Sequence, residues 1–125
     1  LSNINVIGKY DFINNDTIVK NEADEDDENQ SSHGTKVLSI IAGDDSGKLQ
    51  GIAPNCEFLL AKTEYANEEI IIEEDYFVAG LEWCARQGAQ VITASLGYID
   101  WYDYDDFDGK TTVSAKAVKI IKQEL

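Results

Sequence analysis

The chain is poor in several residue types that would each mark a class of protein. Methionine is absent; proline and histidine occur once each, as Pro54 and His33; cysteine occurs twice, as Cys56 and Cys84. A sequence that opens on Leu1 and holds no methionine is not expected to be an untouched translation product, and any targeting segment would have gone with whatever preceded it. Two cysteines cannot make a disulfide framework. Neither has a Cys or His neighbour at metal-ligand spacing, so structural zinc is not expected; both are expected to be ordinary buried thiols. Bases are scarce as well: 10 Lys and Arg against 24 Asp and Glu give a formal net charge of -14. That balance argues against nucleic acid and an anionic membrane surface as partners. It leaves room for basic peptides and divalent cations. No apolar run approaches the roughly 20 residues of a membrane-spanning helix.

What is present alternates. "INVIGKYDFIN" reads as a strand, with Ile4, Val6 and Ile7 as its apolar positions. "NEADEDDENQ" has no periodicity and reads as a polar loop. "SHGTKVLSIIAG" reads as a helix capped by Ser32, with Val37, Leu38, Ile40 and Ile41 on one face and Gly43 as a left-handed stop. After the turn "DDSGKLQGIAPN", the run Phe58 to Ala61 has the apolar continuity of a strand covered on both faces. "EEDYFVAGLEWCARQG" reads as a second helix. Glu73, Glu74 and Asp75 stand at its positive end; Phe77, Leu81, Cys84 and Ala85 form its inward face. "AQVITASLG" is β-branched at Val91, Ile92 and Thr93 and reads as another strand. "YIDWYDYDDFDGK" mixes aromatics with acids. "TTVSAKAVKIIKQEL" reads as a third helix with Val113, Ala117, Ile120 and Ile121 inward. Strand, helix, strand, helix, strand, helix predicts an α/β domain with a parallel sheet. In such sheets ligands bind beyond the carboxyl ends of the strands.

His33 is placed for chemistry. It falls in the first turn of its helix and off the apolar stripe. The positive end of a helix disfavours an imidazolium, and a neutral imidazole is what a general base must be. Gly34, which follows it, lets another chain approach the backbone closely.

Taken together, "SHGTKVLSIIAG", "LQGIAPNCEFLLAKT" and "GLEWCARQGAQVITASLG" resemble three successive blocks of the subtilisin-like serine peptidases, the subtilases, over roughly residues 29 to 98. The resemblance implies a three-layer α/β/α fold with a parallel sheet. It implies serine endopeptidase activity through an Asp-His-Ser triad, in which His33 takes the proton of the nucleophile. It further implies that Ser95, Leu96 and Gly97 lie along an extended peptide substrate, bound by strand addition.

The departures are specific. No D-T-G or D-S-G motif precedes His33, Asp11 and Asp16 stand in the wrong context for that role, and no G-T-S motif follows. Residues 1–125 therefore resemble an incomplete, central part of a subtilase catalytic domain, expected to be inactive alone. The competing expectation is a non-catalytic relative whose cleft only binds peptide or protein. No cofactor is expected to be required. Calcium is admitted as a structural ion because the family often binds it in loops, but the six carboxylates of Glu22 to Asn29 show no recognised spacing and read as a solvated loop. The segment from Asp100 to Asp108 is expected to rim the cleft. Expected partners are a peptide or protein substrate, the missing segments of the parent chain, and a second copy through an unpaired strand edge. By the same resemblance, the parent is expected to be secreted or periplasmic.

Overall fold

The computed structural model describes residues 4–23, 26, 28, 30, 32–45, 47–66 and 68–122. In chain order the elements are β1 (Asn5–Asp11), α1 (Ser32–Ala42), β2 (Asp44–Asp45), β3 (Leu49–Gln50), β4 (Glu57–Lys62), α2 (Ile72–Arg86), a 3₁₀ turn (Tyr104–Asp106) and α3 (Val113–Ile121). β1 and β4 pair in parallel, from Asn5 opposite Glu57 to Asp11 opposite Lys62, with a register shift between Val6 and Gly8. β2 and β3 form a separate short antiparallel ribbon. Helices with a parallel sheet make an incomplete α/β domain, the expected class.

Side-chain size decides how α2 meets the sheet. It crosses β4 at Gly80, where a Cβ would stand 3.0 Å from Thr63 Cγ2 and 3.5 Å from the Ala61 Cβ. One turn on, Trp83 lies against Tyr10 and Phe12, with ring centroids 6.4 Å apart in each case. On its other side α2 packs on α3. Leu81, Ala117 and Ile121 form the buried cluster, and Phe77, Val78, Ala85 and Ile92 close around it. Thr112 caps α3 by accepting the Ala115 N–H at 3.2 Å.

The G-I-A-P turn finishes α1. The last carbonyls of a helix have no partner within it. Here Gly51 N–H donates to the Gly43 carbonyl at 2.6 Å, Ile52 N–H to Ile40 at 3.4 Å, and Ala53 N–H to Ile41 at 2.8 Å. The approach is so close that a Cβ on Gly51 would be 2.4 Å from the Ile41 carbonyl oxygen.

Several expectations need correction. Residues 91–99 adopt no regular secondary structure, and Val91 is 83% exposed. A β-branched run becomes a strand only when a neighbouring strand takes up its backbone groups, and β4 does not lie beside it. Gly43 is not left-handed; its missing side chain serves close packing, since a Cβ there would be 2.3 Å from the Ser39 carbonyl oxygen. Ser32 is the first helical residue and not the cap before it. Ile7, Val113 and Ile120 are exposed, as is Cys56, whereas Cys84 is buried.

Candidate active site

His33 is the second residue of α1 and is exposed. Its approach is anchored three residues earlier. The Gln30 side chain spans the turn after β4: its amide nitrogen donates to the Glu64 carbonyl, and its amide oxygen accepts the Ala66 N–H at 2.6 Å. One side chain thus supplies the donor and acceptor that a neighbouring strand would offer.

Ser95 and Gly97 are exposed and Leu96 is half-buried. Their exit is anchored one residue later. Tyr98 is only 6% exposed; its ring packs on Phe77 at 5.8 Å and stacks on Trp101 at 5.6 Å. Its hydroxyl donates to the Glu73 carbonyl oxygen at 3.3 Å. The approach to His33 is therefore tied to Glu64 and Ala66, just past the carboxyl end of β4, and the end of Ser95–Gly97 to Glu73 at the start of α2; the Glu73 carboxylate joins the two by accepting the Tyr65 N–H. Val91–Ser95 is not brought into the sheet.

Burial pushes the Glu64 carboxyl up to about 7, helped by the negative charges of Glu73 and Glu69. Burial also raises the Tyr98 hydroxyl, with Glu64 and Glu73 adding to the effect. Glu73 binds its surroundings through both carboxyl oxygens, accepting the Tyr65 N–H at 2.7 Å and the Ile70 N–H at 3.1 Å.

Three acids whose burial sequence reasoning did not foresee hold this region together. Glu74 stands in the first turn of α2, as expected, but is only 2% exposed. One of its oxygens accepts the Ser114 N–H at 2.8 Å and the Ser114 hydroxyl at 2.5 Å; the other accepts the Tyr102 hydroxyl at 2.6 Å and Trp101 Nε1 at 3.2 Å. The aromatic-acidic segment is thereby pinned across the starts of α2 and α3, while its Tyr104 stays 90% exposed. Asp11 is fully buried at the end of β1 and accepts the N–H groups of Ile13 and Asn14 at 2.8 and 3.1 Å. Lys62 reaches it at 2.6 Å and reaches Asp26 at 2.5 Å. Asp26 belongs to the loop read as solvated, yet its side chain is 2% exposed. The rest of that reading falls partly on residues 24, 25, 27 and 29, which lie outside those described. Among the described residues, no group of three or more His, Cys, Asp and Glu side chains could hold a metal ion.

Fold and site together describe an incomplete parallel α/β domain with its candidate chemistry at the carboxyl end of the sheet. A family model, the Subtilase family, matches residues 3–124. The chain belongs to that family, one of serine peptidases, and the match extends past residues 29 to 98 at both ends. Comparison with curated proteins gave no match, and comparison with solved structures gave none.

Proposed function

We propose that this chain is part of a serine endopeptidase in which His33 is the general base and Ser95, Leu96 and Gly97 bind the substrate backbone. The observation that supports the reading is that the two flanks come together: Gln30, three residues before His33, is bonded to Glu64 and Ala66 just past β4, and Tyr98, one residue after Gly97, is bonded to Glu73 in the first turn of α2, whose carboxylate in turn accepts the Tyr65 N–H. A peptide lying along Ser95–Gly97 would find main-chain partners there, because those residues use no ladder of their own. His33 alone carries no activity, since a base acts only on a nucleophile within about 2.6–3.2 Å. Aspartate and serine partners must come from the parent chain. Asp11 does not serve as the aspartate: Lys62 and its own turn occupy its oxygens. The same parent segments, or a second copy of this chain, are proposed to cover the open outer edges of β1 and β4. Secretion of the parent follows the family's common extracellular setting; among the described residues no helix is long and apolar enough to cross a membrane.

Labelling the parent protein with a serine-directed phosphonate tests the reading. The wild type should label, and His33→Ala should lose labelling while keeping its circular dichroism spectrum, because an exposed first-turn side chain carries little packing. Undiminished labelling of His33→Ala would make His33 structural. No labelling of the wild type, with peptide still bound, would establish the peptide-binding module.

A further inference from the structure

α1 is held firmly at one end. The Ile52 and Ala53 N–H groups close on the carbonyls of Ile40 and Ile41, and Ala42, the last residue of the helix, is the one that is buried. The other end has no packing to place it: Ser32, His33, Gly34, Thr35 and Lys36 are all exposed. His33 therefore stands at the tip of a lever, about 14 Å along the axis from Ala42 at about 1.5 Å per residue. A tilt of about 4° moves that tip by about 1 Å, and a misplacement of this size can cost on the order of 10² in rate at a catalytic group. The tip has to be fixed by something other than the packing of its own helix.

We propose that Gln30 is a positioning residue for His33: its two bonds past β4 fix the exposed end of α1, and with it the place of the imidazole relative to Ser95–Gly97. The inference rests on the reading above insofar as His33 is the general base. The chain leading to α1 is crossed twice from the end of β4. Lys62 holds Asp26 at 2.5 Å, and Gln30 makes the second crossing, three residues before His33. Its amide nitrogen donates to the Glu64 carbonyl and its amide oxygen accepts the Ala66 N–H at 2.6 Å. Two bonds to one short stretch fix rotation as well as position, which a single bond does not. A carboxamide supplies both a donor and an acceptor; a carboxylate or an apolar side chain of the same size does not. The stretch it grips is itself held, because the Glu73 carboxylate accepts the Tyr65 N–H at 2.7 Å. The Glu73 carbonyl accepts the Tyr98 hydroxyl at 3.3 Å, and Tyr98 follows Gly97 directly. Glu64, Tyr65 and Ala66 are thus the common support from which both the histidine and the peptide-binding segment are placed.

The test has two arms. In the 125-residue chain, backbone nitrogen relaxation reads the motion of His33 and Gly34 directly. The wild type should give order parameters near the rigid value of about 0.85 at both. Gln30→Met, which keeps the size and loses both bonds, should bring them below about 0.6, while Leu38–Ala42 stay at wild-type values and show that the fold is intact. Gln30→Glu keeps an acceptor for Ala66 but turns a second acceptor toward the Glu64 carbonyl, and should loosen His33 as well. In the parent protein, both variants should lower kcat on the order of 10²-fold and leave KM within about twofold, since the peptide-binding segment is untouched. Gly8→Ala, which destabilises through β1, should leave kcat and KM at wild-type values, so that loss of stability alone does not give the same result. A rigid His33 in Gln30→Met, or a rise in KM in place of the fall in kcat, overturns the proposal. A wild-type parent that turns over no peptide refutes the endopeptidase reading alone; the relaxation arm still decides whether Gln30 holds His33.

Discussion

Replacing Glu74 by glutamine is the most direct probe of what fixes the aromatic-acidic segment. The two side chains have nearly the same shape, so packing is held constant. The hydrogen bonds are not. Each carboxylate oxygen accepts one N–H and one hydroxyl: Ser114 N–H with Ser114 Oγ–H, and Trp101 Nε1–H with Tyr102 Oη–H. Glutamine puts an NH₂ group in one of those places. A hydroxyl can turn and accept, but an N–H cannot. In either orientation one fixed donor therefore points at another donor, and a bond to a charged acceptor is lost. Such bonds contribute about 1.5–3 kcal/mol, and the carboxylate's own burial cost is relieved in return, so the net loss should be about 2 kcal/mol. For a chain of this size that corresponds to a fall in Tm of roughly 6–10 °C. Urea unfolding followed by far-UV circular dichroism would measure it. A pH series would add a signature. Burial opposes the Glu74 charge, but the Ser114 and Tyr102 bonds outweigh it and hold the carboxyl below its ordinary 4.5. The stability it contributes is therefore complete above 4.5 and lost as pH falls through the depressed value. Glu74→Gln should lose that part of the acid limb. A variant whose urea midpoint matches the wild type would refute the account of Glu74 as the pin between α2 and α3.

Lys62→Met should cost about 3–5 kcal/mol in urea unfolding, far more than Asp26→Asn, because it leaves the buried Asp11 and Asp26 carboxylates facing each other without a cation. Burial opposes both charges of the Lys62–Asp26 pair, yet their contact lowers Asp26 and raises Lys62; the cluster should weaken as pH falls below 3.8 and again as it rises past 10.5. Gly8→Ala should destabilise by about 1–3 kcal/mol, since its Cβ would sit 2.7 Å from Leu59 Cδ2 under Trp83. Gly34→Ala, which meets nothing within 4 Å, should instead stabilise α1 by about 0.5–1 kcal/mol while weakening peptide binding beside His33. Light scattering should show concentration-dependent self-association that Val91→Lys reduces; a monodisperse monomer at high concentration would count against the open-edge reading.

The helices were legible because their signals are local. α2 and α3 follow from apolar spacing, and Gly88 ends α2 with φ of 85° as a stop should. The parallel pairing of β1 with β4 agrees with the alternation of elements. Val91–Ser95 was not legible, because a strand exists only with a neighbour and composition cannot say whether the neighbour is there. The buried acids were misread for the same reason. Glu73 and Glu74 satisfy every rule for a helix N-terminus, and nothing in the sequence around them tells that Tyr65, Tyr102 and Ser114 will close over them. The one available hint lay in equal spacing from strand ends: Asp11 closes β1 and Lys62 closes β4, so a parallel register sets opposite charges side by side. For the site, the position of His33 in the first turn of α1 was readable, whereas the anchoring by Gln30 and Tyr98 was not, because it is made by side chains crossing between distant segments.

The parallel pairing of β1 with β4 also sets an order of events. β4, α2 and α3 are consecutive, and each touches the next, so they can assemble with short loops to close. β1 must wait for a partner that is made only after α1 and the β2–β3 ribbon have been passed, and closing so long an interval carries an entropic cost before any contact is gained. The N-terminal strand is therefore the late-arriving part, with Asp11 reaching Lys62 at the end of the process. Substitutions in β1 should speed unfolding more than they slow folding, and those at Leu81 or Ala117 should do the reverse, a contrast that chevron kinetics would reveal.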